Sequence, residues 1–278
     1  MLSEFGYPKG DGAAESERIE ARVAEAYAIA SDAVNDPTVF DALRYVYDGN
    51  NLKAALKCSL RTGFRAEDYM IPLGTVPTDA VTDAVRTGDF SAMPAHMAAA
   101  AEQAVTQYAE DGDPTGIDRA IDAACFLDRK DAAERANIDA LKEYVSLQAD
   151  TINAVTRLRT TKATFPENAL PGGTVPTDAL TACDDGALDA SAFAGTALAP
   201  IAEKIAAAES ATALEALLDA FMMETVRPYQ TEYFDASPLV GFLLASEAEA
   251  RNVRLILAAR DAGLPAETIR ERMRESYV

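Results

Sequence analysis

The stretch GTVPTDA, Gly74 to Ala80, returns letter for letter at 173–179, and the two copies stand 99 residues apart (173 − 74). A phosphate-cradling loop needs several glycines and usually a lysine, and this heptapeptide has neither. What it has is the chemistry of a turn running into a helix. Gly74 and Gly173 are expected to release the chain from a turn, and Pro77 and Pro176 to pre-set the first turn of a helix. Asp79 and Asp178 then face the positive helix end, worth about 0.3–1 kcal/mol each. Each copy is a helix start, and its repetition implies duplicated architecture.

A second set of landmarks keeps the same interval. YDGNNLKAALK (47–57), ADTINAVTRLR (149–159) and EAEARNVRLIL (247–257) share an acid, an asparagine three residues later, an apolar follower, and a leucine four further on. The acids are Asp48, Asp150 and Glu249, and the amides are Asn51, Asn153 and Asn252. On a helix an acid and an amide three apart share one face, while the apolar follower and leucine share another. Two readings fit the pair. Either it makes a local bond that stabilises its own helix, or three pairs point toward a common axis and line a central opening. Arg251 and Arg254 flank the third asparagine, where they meet a partner's acids or satisfy the chain's own surplus of carboxylates.

The period exceeds the roughly 20–50 residues of solenoid repeats and matches a compact module of about 100 residues. One period before Gly74 falls ahead of Met1. The expectation is therefore an incomplete first module over 1–70, a second over 71–169 and a third over 170–278, arranged about a pseudo-threefold axis.

The modules read as all-α. Alternating Val/Ile/Thr runs do not occur, and Trp is absent. Ile19, Val23, Tyr27, Ala30 and Val34 recur at steps of three and four, one apolar stripe within 16–35. Asp36-Pro37 and Asp113-Pro114 pair a capping acid with a proline suited to the first helical position. Ile117, Ile121, Cys125 and Phe126 mark the inner face of the helix that follows, with Asp118 and Asp122 beside them. Gly263 is placed to end one helix in a left-handed conformation, and Pro265 to open the next.

A net charge of −20 argues against nucleic acid and against adhesion to anionic lipid, whose phosphates the surface repels. It keeps an Ala-rich helical protein soluble, or it forms a face for a basic protein partner. The longest apolar runs fall far short of the roughly 20 residues that cross a bilayer, and the opening residues lack the pattern of a secretory leader. Cys58, Cys125 and Cys183 read as reduced thiols of a cytosolic protein.

No catalytic device emerges. His96 is the single histidine, expected on a solvated helix, and no G-x-S-x-G, P-loop or dinucleotide fingerprint occurs. Clustered Cys and His for a zinc site are missing. Asp184-Asp185 and Glu247/Glu249 read as surface acids more readily than as a cation site. Neither cofactor nor metal is expected.

The last 34 residues, ASEAEARNVRLILAARDAGLPAETIRERMRESYV, resemble the closing helices of the C subunit of the V-type/A-type ATPases, the counterpart of the d subunit of eukaryotic V-ATPases. Glu249, Asn252, Ile256, Leu257, Gly263, Leu264, Pro265, Arg274, Tyr277 and Val278 carry the likeness. That family also repeats a D-x-x-N-L helix three times and a G-x-[VI]-P element before its modules. The likeness extends over essentially the whole chain, although relatives usually begin with a further half-module, and MLSEFGYP resembles the middle of their first one. It implies a non-catalytic funnel of three helical modules, cytoplasmic and peripheral to the membrane. Such a funnel joins the central rotor stalk to the membrane ring of proteolipid subunits, for ATP-driven ion transport or for ATP synthesis. The interface residues that follow from it are Asp48, Asn51, Asp150, Asn153, Glu249, Asn252, Arg251 and Arg254. A different class also fits, a free-standing acidic helical scaffold that recruits a basic protein.

Overall fold

The computed structural model describes residues 15–232 and 234–265, together with 267, 269, 270 and 273. Arg274, Tyr277, Val278, the opening MLSEFGYP and most of the helix expected from Pro265 lie outside the described residues. Among the described residues every regular element is a helix, as the sequence led us to expect. The chain forms two compact units, one of Thr38–Leu217 and one combining Met1–Pro37 with Leu218–Val278.

A 3-10 turn at Pro37–Phe40 leads into α2 (Asp41–Ser59) of the larger unit, which follows α1 (Glu15–Asp32) of the other unit. The proline therefore opens helical structure as expected, one turn ahead of the α-helix proper. The unit continues with α3 (Thr78–Thr87), α4 (Ala95–Asp111), α5 (Thr115–Ala136) and α6 (Asp139–Arg159). Short helices α7 (Phe165–Asn168), α8 (Thr177–Ala182) and α9 (Ala202–Ala206) complete it, and α10 (Ala211–Val226) carries the chain onward. Helix α2 packs against α3 and α5, and α5 also receives α4 and α6. Ile117, Ile121, Cys125 and Phe126 of α5 are buried, as their spacing implies. Gly49 of α2 lets α5 come close, since a Cβ there would stand 3.3 Å from both Cβ and Sγ of Cys125.

The cap signals are largely visible in the structure. The Asp113 carboxylate accepts from the Thr115 amide at 2.9 Å at the head of α5, and the Thr115 hydroxyl and amide hold its pKa below the usual range. Helix α5 ends on Asn137 in the left-handed region (φ 51°), a conformation that asparagine tolerates better than most residues.

In the smaller unit, α1 packs against α11 (Ser237–Asp261). The α1 stripe is buried through Ile19, Val23, Tyr27 and Ala30, while Val34 lies past the helix end and is half-buried. The Tyr27 hydroxyl donates to Glu247 at 3.3 Å. Helix α11 ends at Gly263 (φ 68°), whose left-handed backbone brings the Leu264 amide onto the Ala259 carbonyl at 2.9 Å. No helix among the described residues is long and apolar enough to cross a membrane.

Candidate functional site

Helix α2 is buried on both of its long faces. Leu52 and Leu56 fill the side toward the core, and Asp48 and Asn51 are buried as well. The pair bonds neither within its own helix nor into an opening. It grips the segment that ends in the GTVPTDA cassette.

Asp48 accepts from the Thr75 amide at 2.9 Å, the Thr75 hydroxyl at 2.7 Å and the Val76 amide at 3.0 Å. Asn51 matches the backbone of Ile71 twice, its Nδ2 donating to the carbonyl at 2.9 Å and its Oδ1 accepting from the amide at 2.9 Å. Arg44, one turn earlier, donates to the carbonyls of Leu73 and Gly74. One helix thus satisfies a whole turn of irregular backbone, which buried amides and carbonyls require.

The second copy repeats the grip. Asp150 of α6 accepts from the Thr174 amide at 2.9 Å, the Thr174 hydroxyl at 2.6 Å and the Val175 amide at 2.8 Å. Asn153 pairs with Leu170 at 2.8 and 2.7 Å. Ser146 stands in for Arg44 and donates to the Gly172 carbonyl at 3.0 Å.

The cassette glycines have a different reason from the one their turn position implied. Neither Gly74 nor Gly173 adopts a positive φ. A Cβ on Gly74 would overlap Oδ1 of Asp48 and stand 2.9 Å from its Cγ. One on Gly173 would meet Asp150 the same way, 3.0 Å from Cγ. Glycine is required because the carboxylate occupies the space of a side chain.

The third copy sits differently. On α11 Asn252 is buried, but Glu249 is exposed, and no further GTVPTDA follows it in the sequence. Arg251 is exposed and Arg254 half-buried beside Glu20, with Nη2 of Arg254 making no hydrogen bond among the described residues. The structure therefore brings together Asp48 with Asn51 and Asp150 with Asn153, each around its own cassette. Boundaries at 70/71 and 169/170 fall between each gripping helix and the cassette it holds.

A third carboxylate works on the same principle without any sequence signature. Asp128 of α5 accepts from the amides of His96 and Met97 at 3.0 and 2.9 Å and so caps α4 from a neighbouring helix. Burial raises the pKa of Asp48 and of Asp128 above the carboxylate range, against the amide donors that favour the charged form. The His96 ring faces Asp131 at 3.0 Å on the surface. Cys125 is buried, and loss of solvent pushes its thiol up to about 12. Asp184 pairs with Lys162, and Asp185 with the buried Arg157. Among the described residues no three His, Cys, Asp or Glu converge as a metal site would require.

The repeated acids and the repeated cassettes both stand out in the sequence, while the bonds between them appear only in the structure. The connecting signal was present, because each acid precedes its cassette glycine by a similar distance in both copies. The geometry makes a latch, in which a charged group inside one helix ties down a loop that starts the next.

The family model described as ATP synthase (C/AC39) subunit matches residues 8–272. The C subunit of a V-type sodium ATPase from Enterococcus hirae is 24% identical over 245 residues, covering 84% of this chain and 74% of that protein.

Proposed function

The chain belongs to the ATP synthase (C/AC39) subunit family, and we propose that it serves as a non-catalytic adapter in a rotary V/A-type ATPase. In that role it joins the central stalk to the membrane proteolipid ring, as a peripheral, cytoplasmic part. The family match over nearly the whole chain carries this reading. The three-module, funnel-like arrangement drawn from the sequence repeats belongs to the same proposal.

The local physics supports it. An adapter that passes torque needs elements that do not slide past one another, and interfaces of well over about 1,000 Å². Both latches tie mid-helix positions to neighbouring loops through several bonds at once. Bonds to an ionised group in low dielectric are roughly twice as strong as neutral ones.

The experiment is co-purification. The chain should leave membranes with the assembled ATPase and be released by a chaotropic wash. Recovery only as a free protein, from cells whose ATPase is complete without it, would overturn the proposal and favour an acidic scaffold.

A further inference from the structure

The larger unit carries a groove of about 590 Å³ that neither the latches nor the family relation explains. It runs along the C-terminal half of α2 and beneath the 60–69 segment, against the end of α4 and the start of α5. Lys53, Lys57 and Arg61 line it together with Phe64, Tyr69 and Tyr108.

Three cations in one groove form an island on a chain of net charge −20. Two of them are partly neutralised, Lys53 by Asp122 and Lys57 by Asp118, each at 2.5 Å. Arg61 is exposed and makes no ion pair among the described residues. Beside it, Phe64 is 50% and Tyr69 59% exposed, their ring centres 6.5 Å apart.

The sister repeat gives the contrast. At the cassette interval of 99, Phe64 and Tyr69 correspond to Ala163 and Asn168, and nearby Lys162 is paired with Asp184. One copy carries an exposed aromatic pair at this surface, and the other carries neither ring. The open wall is also pre-formed, because Asn51 fixes Ile71 just beyond it. Pre-formed surfaces lose less entropy on binding.

We propose that this groove docks an acidic segment of a partner protein, with an apolar side chain on Phe64 and Tyr69 and a carboxylate on Arg61. A dense polyphosphate suits the site less well, because Asp118 and Asp122 already compete for the lysines. A spaced carboxylate among apolar side chains asks only for the free guanidinium, which takes carboxylates in a bidentate fork.

The test uses the whole isolated chain, so its result is independent of ATPase assembly. The probe is a short fluorescein-labelled peptide of glutamate, leucine and one phenylalanine, followed by anisotropy. It should bind, weaken as salt rises, and lose about tenfold in affinity in Arg61→Glu and in Phe64→Ala, both folded by their melting curves. The same peptide with lysine for glutamate should not bind, and Ile152→Ala, at an exposed apolar position of α6 outside the groove, should change nothing. Absence of binding, or binding indifferent to Arg61→Glu, overturns the proposal. So does displacement of the peptide by pyrophosphate that binds more tightly through Arg61, which would make the groove a small-anion site.

Discussion

Gly74→Ala tests the latch most directly. The new Cβ takes the space of the Asp48 carboxylate, so the carboxylate must leave three donors: two backbone amides and one hydroxyl. Hydrogen bonds to a charged group contribute about 1.5–3 kcal/mol each. Partial adjustment of the loop will keep some of that, and we expect a loss of about 3–4 kcal/mol. For a unit of this size each kcal/mol lowers the melting temperature by roughly 2–4 °C, which gives a drop of about 6–16 °C. Gly88→Ala is the control. It puts alanine at φ 75° with open space around the Cβ, and should cost about 1–2 kcal/mol. Denaturant unfolding of Gly74→Ala, Asp48→Ala and the double variant completes the cycle. With the Asp48 carboxylate already removed, the added methyl keeps only a 3.3 Å approach to the backbone nitrogen of residue 48, so most of its cost should disappear. A cost of Gly74→Ala that is the same with and without Asp48 would refute the steric account.

Asn153→Leu should destabilise the isolated chain by about 2–4 kcal/mol, because it strands both the amide and the carbonyl of Leu170, and thermal melting will show it. A melt within a degree or two of the parent would return Asn153 to a role at a partner interface. Stability should also depend on pH through two sets of acids. Asp48 and Asp128 titrate higher in the folded state than in the unfolded chain. Between those two values the folded protein holds the extra protons, so stability falls as pH rises through that window and levels above it. Asp113 and Asp185 are shifted the other way, Asp113 mainly by its bond to the Thr115 side chain and Asp185 by the Lys162 amide. Their contribution is present above the ordinary carboxylate range and is lost as pH falls through their lower folded values. Denaturation midpoints measured across the acidic range should show both, and Asp128→Asn should flatten the upper window.

The helical class was legible because its signals are local. Steps of three and four put Ile19, Val23, Tyr27 and Ala30 on one side of α1, and Gly263 ends α11 as its position implied. The role of Asp48 was not legible, because its partners lie well along the chain and periodicity reports only the faces of one helix. Burial on both sides of α2 erased the distinction between a core face and a polar face on which the socket expectation rested. Gly74 shows the same limit from the other direction. Turn chemistry describes a glycine by its own backbone, whereas this one is fixed by a side chain from another helix. Asp128 left no sequence mark at all, since an acid on α5 that caps α4 looks like any solvated acid. The groove at Arg61 needed coordinates as well, because only they set Phe64 and Tyr69 side by side and exposed.

Each latch closes in the middle of its helix, and three of its bonds converge on a single carboxylate. A pull that separates α2 from the cassette must stretch those bonds together, whereas a zipper opens one link at a time. Resistance to such a load adds across the links until all give way at once. In the proposed adapter role, a twist delivered to either end of α2 would reach the start of α3 through one carboxylate set against a glycine.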